Sequence, residues 1–138
     1  MMVHRPAGFK EIEHMADWEL EAWAPDMAGL LEQAARGMYH LAGVQVAALP
    51  RIHRQVEIET TDAESLVVSF LSELLFIAET GNQAFDHFNL EVENFSLHAS
   101  LEGAALESLA KEIKAVTYHK IHVRHADSGL RVNVVFDV

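Results

Sequence analysis

The chain has no cysteine, which excludes disulfides, thiolate metal sites and cysteine nucleophiles. It has no apolar run approaching the roughly 20 residues needed to cross a bilayer. The longest, Leu66 to Ala78, is interrupted by Ser69, Ser72 and Glu73. The first residues, Met1 to Gly8, carry no apolar signal core, so a cytoplasmic location and no membrane contact are expected. There is no His-Glu-x-x-His, no Gly-rich phosphate loop and no Gly-x-Ser-x-Gly elbow, so zinc-protease, nucleotide-binding and hydrolase readings lack their parts. Cations are scarce as well. Ten Lys and Arg against 21 Asp and Glu give a net charge of −11. A field of that sign repels phosphates, so direct nucleic-acid binding is not expected. A basic protein partner is the better match, and encounter with it would be fastest at low salt.

What is present is enough apolar residue to build a core: half of the 138 residues are hydrophobic, and the length is that of one domain, 1–138, folding alone. There is no repeat, low-complexity tract or linker. Residues 9–14 and 18–24 read as two strands joined by a short turn, with Trp18, Leu20, Ala22 and Ala24 alternating against Glu19, Glu21 and Trp23. Pro25 and Asp26 suit a helix start, and Met27, Leu30, Leu31, Ala34, Ala35, Met38 and Leu41 keep helical spacing up to a stop at Gly43. Residues 44–52 are a connection, and 53–60 alternate as a third strand. Thr61-Asp-Ala-Glu64 has the spacing of a capping box, predicting a second helix with a wide apolar face. Phe76 falls in that helix's polar stripe and is the one candidate for an exposed apolar anchor. After Gly81-Asn82, Phe88 to Val92 and Leu97 to Leu101 read as paired strands around a turn near Asn94, and 102–110 as a surface excursion. A turn at Asp127-Ser-Gly129 precedes a last strand, 130–137. About seven strands and two amphipathic helices predict an α+β domain with the helices on a mainly antiparallel sheet.

The stretch Lys111 to His119 places an acid, two lysines, a phenol and an imidazole on what otherwise alternates as a strand running on to Val123. Pleating would send Glu112 and Lys114 to the side of Val116 and Tyr118. The nine histidines include His119, His122 and His125, but on a strand the first and last lie about 20 Å apart at ~3.3 Å per residue and His122 faces the other way, against a zinc site. Read by residues alone, the chain is an acidic α+β domain, and Asp17 and Asp137 read as a turn cap and a terminal acid.

Four features in order go further: His14-Met-Ala-Asp17, Phe70-Leu-Ser-Glu-Leu-Leu-Phe-Ile-Ala-Glu79, Ile113-Lys-Ala-Val-Thr-Tyr-His119 and Val134-Val-Phe-Asp-Val138. Together they resemble the archease family, nearly end to end, with Met15 where the family usually has Thr and Trp18 where it usually has a β-branched residue.

The resemblance implies an accessory protein rather than an enzyme. It would activate the RNA ligase of tRNA splicing that joins 2′,3′-cyclic-phosphate (3′-phosphate) ends to 5′-hydroxyl ends, by promoting guanylylation of the ligase. Asp17, Asp137 and Val138 match the family's metal-binding positions, and Lys114 its functional lysine. Oxygen donors without Cys or His suit Ca²⁺ first, with Mn²⁺ or Mg²⁺ as alternatives. Two other readings remain open: a small acidic metal-dependent enzyme acting alone through Asp17, Asp137, Lys114 and His119, and a metal-independent adaptor or chaperone-like module.

Overall fold

In the computed structural model, residues 6–12 and 18–138 are described. The first hairpin pairs β1 (Gly8–Ile12) with β2 (Trp18–Ala24), antiparallel, Lys10 opposite Glu21. Leu20, Ala22 and Ala24 are buried, as the alternation predicts. β2 then pairs with β9 (Gly129–Asp137), Trp18 opposite Phe136 and Ala24 opposite Leu130. The far side of β9 is shared by two short strands, β7 (Ala115–Val116) at one end and β8 (Arg124–Ala126) at the other.

A second sheet is built on β6 (Ser96–Ser108). It pairs along one side with β5 (Gln83–Glu93) and on the other with β4 (Ile52–Glu59) and then β3 (Gln45–Val46). Among the described residues this makes nine strands, all antiparallel pairings, and two helices, the α+β class expected. Three details differ from the sequence reading. Residues 102–110 are not an excursion, because β6 continues to Ser108. Gly103 permits this, since a Cβ there would lie 1.9 Å from the Ala84 carbonyl oxygen. The 44–52 connection contributes β3. The stretch from Lys111 to Val123 forms a strand only at Ala115–Val116, leaves β9 after Thr117, and rejoins it at Arg124. Its alternation is real in Ile113, which is buried, but the polar residues beyond Thr117 have no sheet to lie on.

Helix α1 (Met27–Ala42) begins at Asp26, whose carboxylate accepts from the Gly29 amide at 2.8 Å. It ends on Gly43 in the left-handed region, φ 66°. Helix α2 (Ala63–Gly81) corrects the expected capping box. Asp62, not Thr61, is the N-cap, accepting from the Ser65 amide at 2.7 Å. Glu64 does not reach back to the helix start: its Oε2 accepts from the Val123 amide at 2.7 Å, 59 positions away in sequence. The apolar faces of both helices and the inner faces of both sheets meet in one core that includes Leu20, Leu31, Met38, Phe70, Leu74 and Phe136. No helix among the described residues is long and apolar enough to cross a membrane.

Candidate functional site

Of the sequence-predicted site, the described residues Lys114, Asp137 and Val138 lie at one end of β9. Phe136 is wholly buried and anchors the end of β9, so its neighbours Asp137 and Val138 are held at the rim of the sheet, Asp137 exposed and Val138 half-buried against the core. On one side of Phe136 lies Trp18, the residue covalently next to Asp17; on the other lies Val116. The Lys114 amide donates to the Asp137 carbonyl at 2.7 Å, and Ala115 is in register with Asp137. Thr117 closes the segment, its amide and hydroxyl both donating to the Val135 carbonyl at 3.0 and 2.8 Å. Lys114 and Asp137 are thus joined through their main chains. Asp17 and the His14-Met-Ala-Asp17 turn lie outside the described residues.

The Lys114 side chain is exposed and makes no ion pair with any described residue. Lys111 is different, with its ammonium 5.1 Å from the centre of the Trp18 ring. This contact ties the start of the Lys111–His119 stretch to the start of β2, and no periodic signal in the sequence points to it. Among the described residues no three His, Asp or Glu side chains are grouped to hold a metal. The donors described at the rim, the Asp137 carboxylate and the Val138 main-chain oxygen, are hard oxygens, a set that fits Ca²⁺ or Mg²⁺ better than zinc. His119 and His122 stand on the excursion between β7 and β8, outside that set, and His125 is on β8.

Beside this rim the segment Lys111–Lys114 forms one wall of a groove of about 360 Å³, whose other walls are α1, α2 and the end of β6. Periodicity did not reveal it, because its lining residues come from four elements. Tyr39 lines it from α1. The Tyr39 hydroxyl is buried without a partner of good hydrogen-bond geometry. Burial pushes that phenol well above the usual range, and the nearby Phe85 amide offsets this only in part.

A second charged cluster lies on the outer face of the β4–β6–β5 sheet. Arg51 forks onto both carboxylate oxygens of Asp86 and, through Nε, onto Glu102 at 2.9 Å. The guanidinium holds the Asp86 carboxyl down at about 2 and lowers Glu102 as well. These groups satisfy one another and are structural.

The profile of the Archease protein family matches residues 9–138. The chain belongs to the archease family. It is 30% identical to Protein archease of Methanosarcina barkeri over 139 residues, covering 94% of this chain and 95% of that one. It is 28% identical to Protein archease of Methanothermobacter thermautotrophicus, covering 95% and 99%. The fold is similar to the solution structure of Methanobacterium thermoautotrophicum protein 1598, with a TM-score of 0.71 at 26% identity over 95% of this chain and 99% of that one. It is also similar to the crystal structure of a Thermotoga maritima archease described as a possible chaperone, with a TM-score of 0.70 at 22% identity over 100% and 99%.

Proposed function

We propose that this protein is an accessory factor that activates an RNA ligase of the 3′-phosphate/5′-hydroxyl joining type, in tRNA splicing or RNA repair, by promoting guanylylation of the ligase. The observation that supports this reading is that Lys114 and Asp137, joined main chain to main chain at one end of β9, each carry an exposed charged side chain with no ion-pair partner among the described residues. Groups presented outward act on something that docks, whereas a self-contained enzyme needs a cleft around its acid and base. A net charge of −11 points to a partner that is basic, as a protein that holds RNA must be.

In this reading Asp17, Asp137 and Val138 hold a divalent cation, Ca²⁺ in the first place, which supplies positive charge where the ligase accepts its nucleotide. Lys114 orients and balances the anionic groups around it, and the β7–β9 pairing keeps its backbone in register with Asp137. The test is a single-turnover assay of ligase guanylylation with and without this protein. Faster formation of the guanylylated ligase is expected, and a rate unchanged across a range of protein concentrations overturns the reading. An adaptor acting without metal is separated by Asp137→Ala, which such an adaptor would tolerate fully.

A further inference from the structure

The groove next to Lys114 is mainly apolar. Met38, Tyr39, Leu75, Leu106, Leu109 and Ile113 contribute to its walls, and Leu109 is 42% exposed at its edge. At about 360 Å³ it lies at the small end of ligand pockets, which run from roughly 300 to 1,000 Å³, and suits one or two large side chains. Buried anchor residues in such pockets carry most of the energy of protein–protein association.

The charges at its mouth select the occupant. Glu79 and Glu112 line it, both exposed and neither in an ion pair with a described residue. Two lysines line it as well: Lys111, whose ammonium is held over Trp18, and Lys114, at the end nearest Asp137. Of the chain's few cations, Lys10, Arg36, Arg51, Arg124 and Arg131 are already set against acids elsewhere. Away from the Lys114 end, Glu79 and Glu112 are left without a cation among the described residues, and on a chain of net charge −11 they complement an apolar side chain with cations beside it.

We propose that this groove is the docking pocket for the partner protein, receiving one large apolar side chain from a segment whose flanking lysine or arginine pairs with Glu79 and Glu112. The inference rests on the ligase reading for the identity of that partner. It adds a division of labour. The groove wall Lys111–Lys114 runs directly into the bond between Lys114 and Asp137, so an anchor seated in the groove holds the partner surface against the rim and leaves the Lys114 ammonium free.

The experiment measures both the dissociation constant for the ligase and the maximal guanylylation rate at saturating protein. Two exposed-site variants probe the groove: Leu109→Glu, and the charge reversal Glu79→Lys/Glu112→Lys. Each is expected to weaken binding about tenfold or more while the maximal rate at saturation is kept. The charge reversal is also expected to flatten the salt dependence of binding. Asp137→Ala is expected to do the opposite, keeping affinity and losing rate. Parental affinity in both groove variants overturns the docking proposal even where the protein activates the ligase. Weakened binding in both, with a parent that binds but does not activate, supports the groove and overturns the activation reading. No binding by the parent overturns both. Decanoate, an anionic amphiphile, is the control. Its binding to the parent and not to Leu109→Glu, with ligase affinity untouched, assigns the groove to a small ligand and overturns the proposal.

Discussion

Lys114 and Asp137 are joined through their main chains, amide to carbonyl at 2.7 Å, while both side chains point out of the sheet into solvent. Backbone register and side-chain chemistry are therefore separable at this rim. Lys114→Ala keeps the amide and the register, so stability is expected to change by no more than about 0.5 kcal/mol, as for exposed surface positions. Ligase activation is expected to fall strongly. Lys114→Arg restores only part of it, because a planar guanidinium does not replace a compact ammonium at close quarters. Full activation by the Ala variant, in the same guanylylation assay, marks the lysine as a solvated strand residue.

Glu64 predicts the reverse pattern, a fold effect confined to one region. Its carboxylate is the acceptor for the Val123 amide and so ties the excursion between β7 and β8 to the first turn of α2. Glu64→Ala leaves that amide without its partner, a loss of about 1–2 kcal/mol. Glu64→Gln keeps an acceptor oxygen and is expected to cost less. Urea unfolding gives the totals. Amide exchange localises them: exchange at Val123 is expected to speed up in the Ala variant, and unchanged exchange there contradicts the latch.

These two cases also divide what the sequence reveals from what it does not. The alternations in β2, β4 and β9 and the helical spacing in α1 and α2 carry their own period, so element types and buried faces follow from residue order. For the rim, periodicity alone gives no pointer; the family motifs name Lys114, Asp137 and Val138, and the β7–β9 pairing sets their backbones near one another. Glu64 was misread because Thr61-Asp-Ala-Glu64 satisfies the capping-box spacing while tertiary contact gives the carboxylate a different amide. Lys111 to Val123 was misread as one strand because Ile113, Ala115 and Thr117 alternate, although β9 offers it pairing only at the two ends. The groove and the Lys111–Trp18 contact depend on residues from distant elements, and no local period records them.

Acid stability provides a test of the Arg51 network. The Asp86 carboxyl is lowered from its ordinary 3.8 to about 2, mainly by its hydrogen bonds with Arg51, and Glu102 is lowered by the same guanidinium. Folded-state values below the unfolded ones mean that this contribution is complete above about pH 4–5 and is lost as the pH falls toward 2. Both carboxylates are about a third or more exposed, so solvent screening keeps the effect small. The urea midpoint is expected to fall between pH 5 and pH 2. Arg51→Met is expected to be less stable at pH 5 and to fall less steeply over the same range. Parallel pH profiles for the two proteins contradict the assignment.

Phe76 stands 56% exposed on α2, in the polar stripe where helical spacing puts it. Phe76→Ala removes little buried area, so the thermal midpoint is expected to stay within a degree or two of the parent, against the ~3–5 kcal/mol lost when a buried Phe is truncated. Its neighbour Leu75 lines the groove, and affinity for the ligase is expected to drop in the variant. Unchanged affinity places Phe76 outside the contact surface.

Asp17, Asp137 and Val138 are the oxygen groups proposed to hold the cation. Three oxygen groups are a minimal set for Ca²⁺, which takes six to eight oxygens, so affinity is expected to be modest, with water or the ligase completing the shell. Binding to the folded state alone would raise stability by mass action, about 2.7 kcal/mol at a metal concentration one hundred times the dissociation constant. Calorimetric titration with Ca²⁺ and Mn²⁺, paired with thermal unfolding in the same buffers, measures both quantities. The parent is expected to bind and to melt higher with metal. Asp17→Ala/Asp137→Ala is expected to remain folded, since the exposed Asp137 side chain carries none of the core, and to lose both effects. Retained binding in the double variant, or none in the parent, removes the cation from this rim and leaves Lys114 as its only charged functional group.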